Sequence, residues 1–134
     1  DSILIYGNDG TANQVILTDS SGRLEVTIAS TFTEATQTVS TVTAFTGSTT
    51  RDASDVPNYT WFTKNTGATN TADARLEISP NNSDWLVDGT TQVVGTSTSI
   101  VVTPNVFLRY TRVAYRSTTA GSDTSLVLIW QAYN

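Results

Sequence analysis

The stretch ADARLEIS, residues 72–79, decides how this chain folds. Ala74, Leu76 and Ile78 fall on one side of an extended backbone and Arg75, Glu77 and Ser79 on the other, the two-residue period of a strand with one apolar face. RLEVTIA, residues 23–29, repeats the pattern, with Leu24, Val26 and Ile28 opposed to Arg23, Glu25 and Thr27. Outward from these two anchors, further strands are expected over residues 13–18, 37–46, 58–65, 91–102 with a break at Gly95, 106–117 and 124–133. Turn chemistry separates them at Asn8-Asp9-Gly10, Ser20-Ser21-Gly22, Asn65-Thr66-Gly67, Pro80-Asn81-Asn82, Asp88-Gly89, Thr103-Pro104-Asn105 and Ala120-Gly121-Ser122. Residues 46–56 are polar enough to read as a loose loop. Threonine, serine and β-branched residues dominate the composition while helix formers are scarce, so the chain reads as all-β. About eight to ten antiparallel strands with no helical segment predict a single jelly-roll-like β-sandwich. Residues 1–12 are expected to form an N-terminal strand or connector arm and residues 13–134 the sandwich domain.

Composition removes most chemistry. The chain has 134 residues, no cysteine and no histidine, so thiolate or imidazole catalysis, disulfides and His- or Cys-ligated metals are excluded. A net charge of -5, with only seven basic residues, argues against a surface that tracks phosphates, and nucleic acid is not an expected partner. No apolar run reaches the roughly 18 residues that a membrane helix needs. Paired carboxylates could still serve a glycosidase. Glu77, however, is expected on the outward face of its strand beside Arg75, and most aspartates lie in turns where they cap their own backbone. The expectation is a protein that is not an enzyme and carries neither cofactor nor metal. Asn58 and Asn81 each begin a glycosylation sequon, a weak three-residue pattern. The chain starts at Asp1 rather than methionine, which is read as processing of a secreted protein.

One binding signal stands out. In NYTWFTKN, residues 58–65, Tyr59 and Trp61 share a face, and Trp85 follows the turn at residues 79–84. Exposed, the three would make a flat platform for stacking sugar rings; buried, they are core. A carbohydrate-binding or receptor-binding module with a glycan partner is therefore the alternative function, with Tyr59, Trp61 and Trp85 as its ligand platform.

IYGNDGTANQVILTDSSGRLEV, residues 5–26, LEISPNNSDW, residues 76–85, and VFLRYTRVAYRSTTAG, residues 106–121, together resemble an uncharacterised domain family of Gram-positive endospore-forming bacteria. The resemblance implies an extracellular or spore-associated protein and carries no catalytic residue. The predicted architecture is also similar to that of endospore appendage subunits, small jelly rolls that polymerise through an N-terminal extension. Those subunits are cross-linked by cysteines, which this chain lacks.

The two terminal strands point the same way. Ile3 and Ile5 oppose Leu4 and Tyr6, and in SLVLIWQAYN, residues 125–134, Leu126, Leu128, Trp130 and Ala132 oppose Val127, Ile129, Gln131 and Tyr133. Strands that are apolar on both faces need cover on both sides, more than the outside of one small sandwich offers. The resulting expectation is a structural subunit of a secreted filament or surface appendage. Its partners are copies of itself, its place is outside the cell or on a cell or spore surface, and Ile3, Leu4, Ile5 and Tyr6 are its assembly residues, added as a strand to the neighbouring subunit.

Overall fold

The structure is a computed structural model that describes residues 6–8, 10, 11, 13–15, 20–24 and 30–134. All regular structure among these residues is β. Strands β1 (Tyr6–Asn8) and β2 (Asn13–Val15) pair antiparallel as a hairpin of their own. Its connection uses the expected glycine conformation, with Gly10 at φ 92°. Residue 12, where the arm was expected to end, lies between the two strands of this hairpin, and among the described residues the first strand of the two larger sheets starts at Phe32. Residues 25–29 of the RLEVTIA segment lie outside the described residues.

The remaining strands are β3 (Phe32–Ser40), β4 (Thr46–Gly47), β5 (Arg51–Asp52), β6 (Asn58–Asn65), β7 (Ala72–Ser79), β8 (Leu86–Val94), β9 (Ser99–Val102), β10 (Tyr110–Ser117) and β11 (Ser125–Tyr133). They form two antiparallel sheets. One has the order β3-β11-β6-β9; the other has the order β4-β10-β7-β8, with β5 also on β10. If β4 and β5 are taken as one interrupted strand, successive strands alternate between sheets except at the β7–β8 hairpin. That connectivity is the eight-stranded jelly roll.

The expected strands at 58–65 and 72–79 match β6 and β7, and the last strand matches β11 to within one residue. Elsewhere the structure departs from the sequence reading. The 91–102 stretch does break at Gly95, but its two halves lie in different sheets, separated by a turn in which Thr98 N donates to Gly95 O at 3.2 Å and Ser97 takes φ 53°. Gly89 has the positive φ its pairing with Asp88 suggests, yet it sits inside β8 at a shift of register against β7, a bulge rather than a turn. β3 starts at Phe32 instead of residue 37, because threonines alternate with Ala35 and Val39 and threonine sits well on a pleated surface. The region 46–56 is not loose. β4 and β5 hydrogen-bond to β10, and Ala53 and Val56 are buried in the core.

Between the sheets, Tyr59 and Trp61 of β6 pack with Leu126, Leu128 and Trp130 of β11 against Leu76, Val113 and Tyr115 of the opposite sheet. Trp61 and Trp130 meet at 6.5 Å between ring centroids, and the Trp61 indole N–H donates to Thr111 Oγ1 on β10 at 3.1 Å. That bond crosses the sandwich. At one end a buried polar seam adds to it. Asn65 donates to Val94 O and Asn70 O at 3.2 and 2.8 Å and accepts from Gly67 N and Thr124 Oγ1 at 2.9 and 2.8 Å. A Cβ at Gly67 would collide with the Thr124 hydroxyl, so this junction needs glycine for space.

Leu128 is fully buried at the centre of β11. Leu128→Ala should lower the unfolding free energy by about 2–5 kcal/mol in urea denaturation, through lost burial and the cavity left behind. An unchanged midpoint would show that this face of β11 is not core.

Candidate functional site: the outer faces of the sandwich

Since the inner faces are consumed by the core, any function lies on the outer faces, edges and ends. Period-2 geometry assigns the outward residues of the β3-β11-β6-β9 sheet. Val101 faces Phe62, Phe62 faces Ile129, and Ile129 faces Thr36 in the strand register, which places one apolar stripe across the sheet. Val101 is 55% exposed, while Phe62 and Ile129 are half-buried. Phe32 and Tyr133 pair across β3 and β11 at the end of the same face, both more than half exposed. The two-sided character of the last strand therefore has a location: Leu126, Leu128, Trp130 and Ala132 fill the core, and Val127, Ile129 and Tyr133 look outward.

The outer face of the other sheet is ionic. Glu77 is on the outward side of β7 as expected, but only 6% of it is exposed. Arg75 Nε and Nη2 donate to Glu77 Oε1 at 3.2 and 2.8 Å, and Arg112 Nε and Nη2 reach Glu77 Oε2, each at 2.8 Å. Next to it, Arg116 Nε donates to Asp73 Oδ2 at 2.9 Å and Thr118 Oγ1 to Asp73 Oδ1 at 2.9 Å. Aromatic rings stack on the cations: Phe45 lies 3.9 Å from Arg75 and 4.5 Å from Arg116, and Trp85 lies 3.9 Å from Arg112. Such contacts are worth about 0.5–1 kcal/mol each near a surface. Gly47 lets Arg112 cross β4, since a Cβ there would stand 2.6 Å from its Nε. Both oxygens of both carboxylates are already occupied, so the cluster is a fixed network that braces the sheet and not a pair with room for a substrate between them.

The proposed sugar platform is not assembled. Tyr59 and Trp61 are buried at 5% and 1% exposure on the core face of β6, whereas Trp85 lies outside the opposite sheet on Arg112. Their shared face is the inner one, because Phe62 and not Trp61 points outward. Of the assembly residues, Ile3, Leu4 and Ile5 lie outside the described residues, and Tyr6 enters β1 opposite Val15. The sequence reading set Ile129 opposite Trp130 without deciding which of the two faces is the inner one, and it did not see that strand order sets Ile129, Phe62 and Val101 side by side.

One charge pair stands apart from the network. Arg109 Nε and Nη2 donate to Asp52 Oδ2 at 3.0 and 2.8 Å, which joins β5 to the segment before β10. The Arg109 bond, helped by the Ser54 backbone N–H, holds the Asp52 carboxyl well below the usual carboxylate range. A carboxyl whose pKa falls on folding adds stability that is fully present above its unfolded pKa of about 3.9. That stability is lost as the pH falls through the folded value. Because the pair is exposed, the effect is small and salt-sensitive. Asp52→Asn should therefore lower the melting temperature slightly and evenly above about pH 5, and the gap should close as the pH falls below about 4. A gap that widens in acid would contradict this linkage.

Fold and surface together define a small jelly-roll β-sandwich with a tightly filled interior. The chain belongs to the family described as "Domain of unknown function (DUF6385)", whose profile matches residues 52–134. That span contains the second and third of the sequence stretches that carried the family resemblance. No curated protein matches the chain. Among solved structures it is similar to a subunit of the Bacillus endospore appendages, described as disulfide-linked pili. The TM-score is 0.52 at 13% identity, over 77% of this chain and 87% of that one. It is also similar to the PBSX exported protein XepA, with a TM-score of 0.52 and 12% identity. That alignment covers 97% of this chain and 48% of XepA, so the chain spans about half of that protein. At these identities the likeness is one of fold.

Proposed function

We propose that this chain is a non-enzymatic structural subunit of an extracellular filament or surface appendage, built from copies of itself. The observation that carries the reading is the outward apolar stripe Val101–Phe62–Ile129, which lies on the face of a sheet that a monomeric sandwich would cover with polar groups. Strand edges support it: among the described residues, β3 and β9 border one sheet and β8 the other, and a sheet edge is where a further strand can add. The occupied carboxylates of Asp73 and Glu77 favour a structural over a catalytic role. The fold likeness to an appendage pilin and to an exported protein fits a place outside the cell or on a spore surface.

In this scheme Ile3, Leu4, Ile5 and Tyr6 are the added strand, and the apolar stripe is the lateral contact that complements it. Four apolar side chains and their main-chain bonds give a gross gain on the order of 10 kcal/mol. That is comparable with the roughly 4–15 kcal/mol cost of association, so strand and stripe are needed together.

Deletion of residues 1–7 should leave a chain that is folded by circular dichroism yet monomeric in size-exclusion chromatography. Val101→Lys, at an exposed position, should weaken assembly with an unchanged melting temperature. Ordered polymers that survive the deletion would refute strand addition and leave the stripe as the contact. Polymers indifferent to both changes would refute the scheme altogether.

A further inference from the structure

At the end of the sandwich where β6 begins and β11 ends, a cleft of about 400 Å³ opens between the start of β6 and the loop after β9. Its volume falls within the roughly 300–1,000 Å³ typical of small-ligand sites. Two partly exposed rings, Phe107 and Tyr133, contribute to its walls, together with the amides of Asn58 and Asn105 and the hydroxyls of Thr60 and Thr103. A second cleft of about 210 Å³ shares Thr103 and Asn105 with the first and continues along β8 past Thr90 and Gln92. Through these two shared residues the clefts adjoin and are taken together as one candidate groove.

The loop that forms this groove is held from behind. Asp88 Oδ2 accepts from Asn105 N at 2.7 Å and Val106 N at 3.3 Å, and its Oδ1 accepts from Asn105 Nδ2 at 3.0 Å. One face of the Asn105 amide is therefore fixed, and its carbonyl oxygen remains to accept from a ligand. Among the described residues, the side chains of Asn58, Thr60, Thr103 and Tyr133 have no hydrogen-bond partner in the protein. The walls thus carry hydrogen-bonding capacity that the fold does not use.

The lining selects a ligand by elimination. Among the described residues, no lysine or arginine lines either cleft, as a phosphate or carboxylate site would require. Among the same residues, the first cleft has no carboxylate for a cation, and the one in the second is spent on the loop. Uncommitted amides and hydroxyls would be left unsatisfied by a wholly apolar guest. A neutral, polyhydroxylated ligand satisfies all of these: its ring faces lie on aromatic rings while its hydroxyls meet amides and threonines. We infer that this groove, bounded by Phe107, Tyr133, Asn58 and Asn105, binds a neutral oligosaccharide; its second cleft reaches Val101, where it borders the apolar stripe used for assembly.

The test is a titration of the ¹⁵N-labelled full chain with cellotetraose, tetra-N-acetylchitotetraose and maltotetraose, followed by NMR. At least one sugar should give saturable shifts confined to residues 58–60, 88–92, 101–107 and 133. Phe107→Ala, at a site already half exposed, should weaken that binding by about tenfold or more with an unchanged melting temperature. Asn105→Ala, which also removes the Nδ2 bond to Asp88, should weaken binding through the lost acceptor. Failure of all three sugars to saturate would overturn the inference, as would binding untouched by Phe107→Ala. A synthetic DSILIYG peptide that shifts these resonances when no sugar does would also overturn it and assign the groove to strand docking.

Discussion

Trp61 and Trp130 meet between the two sheets, with Trp61 hydrogen-bonded across to Thr111, and this contact closes the interior to any ligand. Large rings fill the space that wider β-sandwiches and barrels leave as a cavity, and Leu76, Leu126, Leu128 and Val113 complete the packing. Whatever the molecule recognises must therefore meet its outer faces, its strand edges or its ends. Those surfaces differ sharply. One sheet turns outward an ionic lattice of Asp73, Arg75, Glu77, Arg112 and Arg116, braced by Phe45 and Trp85. The other turns outward Val101, Phe62 and Ile129.

The ionic lattice explains how strand β7 can be buried on both sides without a third layer. In β7 every residue except Arg75 is buried, although alternate residues point away from the core. Outward carboxylates are covered by their own arginines, and the arginines by aromatic rings, so the layer is one side chain thick. A buried ion pair contributes little net stability once desolvation is counted, but it resists repacking because removing one partner strands the other. Such a face suits a rigid brace, and the apolar stripe suits a contact.

Much of this architecture was legible in residues 72–79 and 58–65, where strict alternation and flanking turn residues placed β7 and β6 with their observed bounds. Alternation cannot say which face is the inner one when both carry aromatics. NYTWFTKN offered Tyr59 and Trp61 on one side and Phe62 on the other, and only the opposing sheet decides that the tryptophan goes in. Strand order is equally invisible locally. Nothing in SIVV, residues 99–102, announces that the chain has changed sheets at Gly95 and that Val101 will lie beside Phe62 within the second sheet. The Asp88-Gly89 pair shows a third limit: its backbone demand was read correctly, but a bulge and a turn make the same demand on glycine. The end groove joins side chains from β6, the 103–107 loop and β11, positions up to 75 apart in sequence, and no short motif marks it.

The central claim is that the outer surfaces of this sandwich are made to meet further copies of the chain. Negative-stain electron microscopy of the natively purified protein, over a range of concentrations, tests it most directly. The account predicts ordered polymers with a regular subunit repeat, more numerous as concentration rises. Isolated particles of single-subunit size at every concentration would contradict it.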